Sequence, residues 1–246
     1  AYTDLSTAGV YSIIFYFGTV VLIPSVALGK ISSTIIADSW KNNDLKTIDD
    51  IYFKSSINQL FFSLLLFILI AANLDNIIQL LGRRYQGTEW VIVLVSLTSL
   101  IVASTGSSVQ IIGTSHKYKI QTYSLGVLVA LSVIFYAIFI PILGMIGAAL
   151  GSLLSISGAS LMRVYYLKRN MNLFPYRGIH FKCLAIGIAT FALVKLIPAN
   201  SNFLIDLFLR CSLISVLFVG LSYLFRISDD FNRMVDKFLK QTGFKK

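Results

Sequence analysis

Residues 140–151 read Ile140-Pro141-Ile142-Leu143-Gly144-Met145-Ile146-Gly147-Ala148-Ala149-Leu150-Gly151 and separate two long apolar runs. Proline disfavours continuation of a helix and glycine permits a tight turn, so the stretch predicts the connection of a helical hairpin. Small residues then recur every four positions, which places them on one face of the second helix. A ridge of this kind allows close approach of another helix. We therefore predict helix packing by Gly147, Gly151, Ser155 and Ala159.

The two runs beside this turn belong to a series of seven, each near the ~20 residues that cross a bilayer. They cover residues 10–36, 57–81, 90–112, 120–143, 145–167, 182–198 and 203–225. Hydrophobic residues form 56% of the chain, while charged residues form 13%, about half the share that is usual in soluble domains. Because helices satisfy their backbone hydrogen bonds internally, this composition predicts an all-α integral membrane protein.

The distribution of positive charge predicts the orientation of these segments. Of the 21 lysines and arginines, 15 lie in the loops 37–56, 113–119 and 168–182 or after residue 225, whereas only Arg83 and Arg84 lie in the alternate loops. Lysine and arginine accumulate in cytoplasmic loops, so we predict that the C-terminus is cytoplasmic. The formal charge of +10 is thereby explained by topology, and no nucleic-acid partner is expected.

Several cations lie inside or beside the apolar segments. Lys30, Arg163 and Lys195 are close enough to helix ends for their side chains to reach the interface. Arg210 lies four residues after Asp206, which favours an internal ion pair. The alternative for some of these cations is contact with an anionic substrate. The candidate substrate-binding residues are Lys30, Lys54, Arg83, Arg84 and Arg163.

A polar stripe runs along the third segment at intervals of three or four residues. Its members are candidates to line an aqueous cavity, although small and polar residues also hold membrane helices together. The candidate cavity-lining residues are Ser96, Ser99, Gly106 and Gln110.

Sequence patterns of catalytic, metal or cofactor sites are not found. His180 and Cys183 are three residues apart, but a structural zinc site needs four ligands. Residues 228–246 form a basic tail in which Phe231, Met234, Val235, Phe238 and Leu239 share one helical face. This pattern favours an amphipathic helix on anionic lipids of the cytoplasmic leaflet; the alternative is a charged terminus without a partner.

Several stretches resemble bacterial polysaccharide biosynthesis proteins, namely the Wzx-type lipid-linked oligosaccharide flippases of the MOP superfamily, which are related to MATE exporters. The similarity covers residues 1 to about 180 and rests on the order of short motifs. These are Ala8-Gly9-Val10-Tyr11-Ser12, Ile35-Ile36-Ala37-Asp38-Ser39-Trp40-Lys41-Asn42-Asn43-Asp44, Ile51-Tyr52-Phe53-Lys54-Ser55-Ser56, Leu80-Leu81-Gly82-Arg83-Arg84-Tyr85-Gln86-Gly87, Gly113-Thr114-Ser115-His116-Lys117-Tyr118 and the turn from Ile140 to Ala149.

The resemblance implies a fold of two six-helix lobes around a central cavity, often with two further helices. Residues 1–180 would be part of the C-terminal lobe, beginning at its second helix, with residues 181–227 supplying the two extra helices. Family members move undecaprenyl-pyrophosphate-linked oligosaccharide across the bacterial inner membrane, without catalysis and alongside other polysaccharide-assembly membrane proteins. The alternatives are a MATE-like drug or metabolite exporter, an O-antigen polymerase or ligase, and a structural membrane subunit.

Overall fold

The computed structural model of the protein describes residues 5–198 and 202–241. Within these ranges the chain forms α-helices and one short 3-10 turn at Arg83–Tyr85, without any strand. The helices are α1 (Leu5–Lys41), α2 (Leu45–Ala72), α3 (Leu74–Leu81), α4 (Glu89–Ser104), α5 (Ser108–Thr114), α6 (Lys119–Met171), α7 (Gly178–Lys195), α8 (Phe203–Leu224) and α9 (Asp229–Gln241).

Five of these helices, α1, α2, α6, α7 and α8, are long and apolar enough to cross a membrane. The number rises to six when α4 and α5, which meet at an angle of 52°, are taken as one bent span. The prediction of an all-α protein with membrane-spanning character is confirmed at this level.

The element α6 consists of two helices that form a hairpin, and the chain turns back at Gly144. This residue has φ 56° and ψ −125°, outside the helical region, in a conformation that favours glycine. The residues before and after it then pack side by side, as shown by the 2.9 Å hydrogen bond between the hydroxyls of Tyr136 and Ser152. The predicted turn is therefore present, and its two arms cover residues 119–143 and 145–171.

Two of the predicted segment boundaries were wrong. The loop predicted at 37–56 is almost entirely helical, because α1 continues to Lys41 and α2 begins at Leu45. Asp44 caps α2 by accepting a 3.0 Å hydrogen bond from the Thr47 backbone N–H, which stabilises the earlier start. A second hydrogen bond, from the Thr47 hydroxyl, lowers the pKa of Asp44 below its usual value.

The third predicted segment, 90–112, is not one continuous helix. Its helix ends at Ser104, and α5 starts at Ser108 after the turn Thr105-Gly106-Ser107. Gly106 has φ +57°, and a side chain there would lie 2.8 Å from the Ser56 backbone. The break thus lets the turn contact α2 closely, and it needs glycine for both reasons.

The central helix is α2, which contacts α1, α4, α7 and α8. The ring centroid of Phe61 on α2 lies 5.2 Å from that of Phe218 on α8 and 4.7 Å from that of Phe231 on α9. A second core at one end of the bundle joins the predicted cytoplasmic ends of the helices through Ile36, Ile48, Tyr52, Ile111, Ile112, Leu167 and Leu173. The regions 37–56, 113–119 and 168–182 therefore lie at the same end of the bundle.

The tail forms the amphipathic helix α9 and packs partly on the protein. Phe231 is buried, the Asp230 carboxylate accepts a 2.8 Å hydrogen bond from Asn58 of α2, and the Tyr223 hydroxyl donates to Asp236. Met234 is 62% exposed and remains available to a membrane surface. The side chains of Phe238 and Leu239, like the residues from 242 onward, lie outside the described part of the chain.

Candidate functional site

The five predicted substrate-binding cations do not form one cluster. Arg83 and Arg84 are exposed on the 3-10 turn, at the end of the bundle opposite the basic loops. Lys30 is exposed on α1, and Lys54 is exposed and paired with Asp50 at 2.6 Å. Arg163 differs from the other four because it is 8% exposed.

Arg163 bridges the two arms of the α6 hairpin. One guanidinium nitrogen donates to the Ser124 hydroxyl of the first arm at 2.9 Å, and another donates to the Ser160 hydroxyl at the same distance. The side chain is held inside the protein and is not extended toward solvent, so the snorkelling conformation expected for Arg163 is not the one found. The cause is the hairpin itself, which brings Ser124 of the first arm within reach of Arg163 on the second.

The charge of Arg163 has no acidic partner in the described residues. The three ion pairs found there join Lys54 to Asp50, Arg177 to Asp49 and Arg210 to Asp206. Arg163 Nε also has no hydrogen-bond acceptor. A buried cation satisfied only by neutral hydroxyls is costly, and an anion would compensate for it. Arg163 is therefore the residue with the strongest chemical case for anion binding.

Tyr52 belongs to the same site, although no sequence pattern singled it out. Its side chain is fully buried on α2, its hydroxyl makes no hydrogen bond to the protein, and it packs in the same core as Leu167, one helical turn after Arg163. Buried hydroxyls are normally hydrogen-bonded. The pair offers a guanidinium N–H and a phenol O–H, both suited to the oxygens of a phosphate.

The polar stripe of the third segment lies mainly at helix contacts. Ser96 is completely buried, a side chain at Gly18 of α1 would lie 3.1 Å from the Ser99 hydroxyl, and Gly106 lies against Ser56. Gln110 lies against Gly29 of α1, and its side-chain carbonyl oxygen has no hydrogen-bond partner. Ser96, Ser99, Gly106 and Gln110 therefore lie where helices pack together. That they line a cavity stays a prediction.

His180 of α7 is hydrogen-bonded near the turn at 105–107 that separates α4 from α5. From the sequence, His180 was considered only as a metal ligand. The Ser56 hydroxyl donates to the Ser104 carbonyl at 2.6 Å, so His180 Nε2–H donates to Ser56 at 3.0 Å. The Arg177 backbone N–H donates to His180 Nδ1 at 3.1 Å. These bonds assign the neutral imidazole. Serines on both sides of the contact, at 55–56 and 104–108, were the available signal in the sequence.

The small-residue ridge packs as its spacing indicates. A side chain at Gly147 would overlap the Phe139 carbonyl, and one at Gly151 would lie 2.5 Å from the Tyr136 ring. Ser155 and Ala159 are buried further along the same helix.

Metal coordination finds no support in the described residues, which contain no group of three potential ligands. Comparison with family models, curated proteins and solved structures finds no match to this chain. The family relationship suggested by the motifs therefore stays an expectation.

Proposed function

We propose that the chain is part of a transporter that moves lipid-linked oligosaccharide across the bacterial inner membrane. The observation that carries the proposal is the buried Arg163, which has no acidic partner in the described residues and lies one helical turn from the core that contains Tyr52. A pyrophosphate group crossing the membrane interior needs compensating positive charge and hydrogen-bond donors. The resemblance to Wzx-type flippases supplies the substrate class.

The proposal requires seven crossings. Each arm of the α6 hairpin is longer than the ~20 residues needed for a bilayer, and α4 with α5 would form one bent crossing. With α1, α2, α7 and α8, these segments make seven crossings, so that successive connections between crossings lie on opposite sides of the membrane. The positive-inside rule then assigns the end that carries the basic loops to the cytoplasm. Arg163 would meet the substrate from that side.

Cysteine labelling tests this topology. Arg84→Cys should react with a membrane-impermeant maleimide added to intact cells, whereas Lys46→Cys should react only after the cells are opened. Both side chains are exposed, so accessibility does not limit the reaction. The parent chain serves as background control, because Cys183 is buried and Cys211 is half-buried. Labelling of Lys46→Cys in intact cells would contradict the orientation.

A MATE-like exporter would use the same architecture, but proton or sodium coupling commonly depends on membrane carboxylates. Asp75 and Asp206 lie near helix ends, so the described residues favour an anionic substrate over a cationic one. An O-antigen polymerase or ligase would need an extended outer loop. The described connection between α3 and α4 consists of residues 82–88, which is short for such a site.

Neutralising Arg163 should strongly reduce transport without removing the protein from the membrane. In a strain complemented with the full-length protein, we expect Arg163→Gln to reduce surface-glycan display by about tenfold or more, because loss of one charge-assisted contact costs roughly 1.5–3 kcal/mol. Arg163→Lys should restore part of the display. Protein level and size-exclusion profile should stay unchanged.

Ser124→Ala is the matched control, because it removes the hydrogen bond between the arms of the hairpin but keeps the positive charge. It should leave glycan display near the parent level. Equal loss in Ser124→Ala and Arg163→Gln would mean that Arg163 acts only in holding the hairpin. Normal display in Arg163→Gln would remove the anion site from the proposal.

A further inference from the structure

An open groove lies between α4 and α7 at the end of the bundle opposite the basic loops. Its floor is formed by α2. The groove has a volume of about 530 Å³ and an overwhelmingly apolar wall that includes Leu64, Phe67, Val93 and Phe191. Gly187 of α7 lies close enough to α2 that a side chain there would meet Leu64 at 2.7 Å. The floor of the groove is therefore closely packed, and its open side faces away from the bundle.

Three charged residues line the same groove at its polar end. They are Asp75 at the start of α3, Glu89 at the start of α4 and Lys195 at the end of α7. None of them takes part in an ion pair found in the described residues. Two negative charges and one positive charge thus line one groove without forming an ion pair with each other, and one Glu89 oxygen accepts a 3.1 Å hydrogen bond from the Gly87 backbone. A ligand complementary to this arrangement carries both a cation and an anion.

The shape of the groove agrees with a ligand that has a long apolar part. Trp90, which is 68% exposed, lies beside the charged end, and tryptophan favours the headgroup level of a bilayer. The apolar wall then continues from that level toward the membrane centre. A phospholipid matches both features, since its headgroup and acyl chains meet at the same depth.

We propose that this groove binds a phospholipid with a zwitterionic, primary-amine headgroup, of which phosphatidylethanolamine is the simplest. Lys195 would contact the phosphate, and the carboxylates of Asp75 and Glu89 would accept hydrogen bonds from the ammonium group. One acyl chain would lie along the apolar wall. The site is at the end opposite Arg163, so the inference is independent of the proposed transport function.

Headgroup selectivity tests the site. The purified protein, stripped of lipid, is mixed in turn with the dioleoyl forms of phosphatidylethanolamine, phosphatidylcholine and phosphatidylglycerol, and bound lipid is counted by native mass spectrometry. Phosphatidylethanolamine should bind more tightly than phosphatidylcholine by roughly threefold, the scale of exposed charge pairs. Choline has no N–H group to donate. Phosphatidylglycerol is also expected to bind the basic tail and loops, so its binding at the groove is read from the variants: removing the two carboxylates that repel its net charge should increase it.

Two variants separate the amine contact from the phosphate contact. Asp75→Asn combined with Glu89→Gln should remove the preference for ethanolamine over choline and leave phosphatidylcholine binding unchanged. Lys195→Gln should weaken binding of both lipids by the same factor, since both contain the phosphate. Asp75 and Lys195 are exposed and Glu89 is half-buried, so the variants should fold, which size-exclusion chromatography checks.

Lys182→Gln is the control, because Lys182 is an exposed lysine near the other end of the same helix. It should bind phosphatidylethanolamine and phosphatidylcholine like the parent protein. The proposal is overturned if the double variant keeps the preference for ethanolamine over choline, if it leaves phosphatidylglycerol binding unchanged, or if Lys182→Gln and Lys195→Gln have equal effects on the first two lipids.

Discussion

Replacing Arg210 by methionine should lower the free energy of unfolding by about 3–5 kcal/mol, because it leaves a buried carboxylate without its cation. Arg210 Nε lies 2.7 Å from Asp206 Oδ2, and the two side chains are 9% and 8% exposed. Asn76 donates to the same oxygen at 2.8 Å, and Arg210 donates to the Ile197 carbonyl at 3.1 Å. The pair therefore joins α8 to α3 and to the segment after α7.

Thermal unfolding in mild detergent, followed by fluorescence-detected size exclusion, measures this effect. Lys54→Met provides the control, since Lys54 and Asp50 form an ion pair of the same i, i+4 spacing with side chains 47% and 53% exposed. Its cost should be at most ~1 kcal/mol. The double variant Asp206→Asn with Arg210→Met should be less destabilised than Arg210→Met alone, because no unpaired charge remains. Equal melting of the Lys54 and Arg210 variants would contradict the assignment of a buried pair.

The sequence predicted best those features that depend on neighbours along the chain. Gly144 and the following small residues indicated a turn and a close helix contact, because backbone freedom and a missing side chain are local properties. The Asp206–Arg210 ion pair was predicted for the same reason, since four residues of helix fix the distance between the two groups. The amphipathic pattern of the tail likewise predicted the helix α9.

The features that were missed depend on contacts between distant segments. Arg163 was expected to reach the interface, but Ser124, on the other arm of the hairpin, holds it inside the protein. The helix break after Ser104 depends on the approach of α2, which the serines at 55–56 and 104–108 do not reveal until the two segments are known to be in contact. The hydrophobicity of the chain also does not locate the start of α2, because residues 45–56 alternate charged or polar side chains with core residues such as Ile48 and Tyr52.

Alanine substitutions at the glycines of the α6 hairpin should produce a graded loss of stability that follows the space at each site. At Gly147 the new methyl group would overlap the carbonyl of Phe139, which is backbone and cannot move without opening the hairpin. At Gly151 it would lie 2.5 Å from the Tyr136 ring, and at Gly158 it would lie 3.2 Å from the end of Leu131. Side chains rotate more easily than backbone shifts, so the order of destabilisation should be Gly147, Gly151, Gly158.

Overpacking of an interior typically costs 1–3 kcal/mol and occasionally more, and we expect Gly147→Ala to lie at or above about 3 kcal/mol. Gly147→Leu should prevent accumulation of folded protein. Gly126→Ala is the matched control on the first arm, because no atom lies within 4 Å of its added methyl group, and alanine favours the helix by about 1 kcal/mol. Thermal melting of the four alanine variants gives the order directly. If Gly147→Ala and Gly126→Ala have the same melting temperature, the two arms of the hairpin are not in contact at Gly147. They would then have to separate directly at the turn at Gly144.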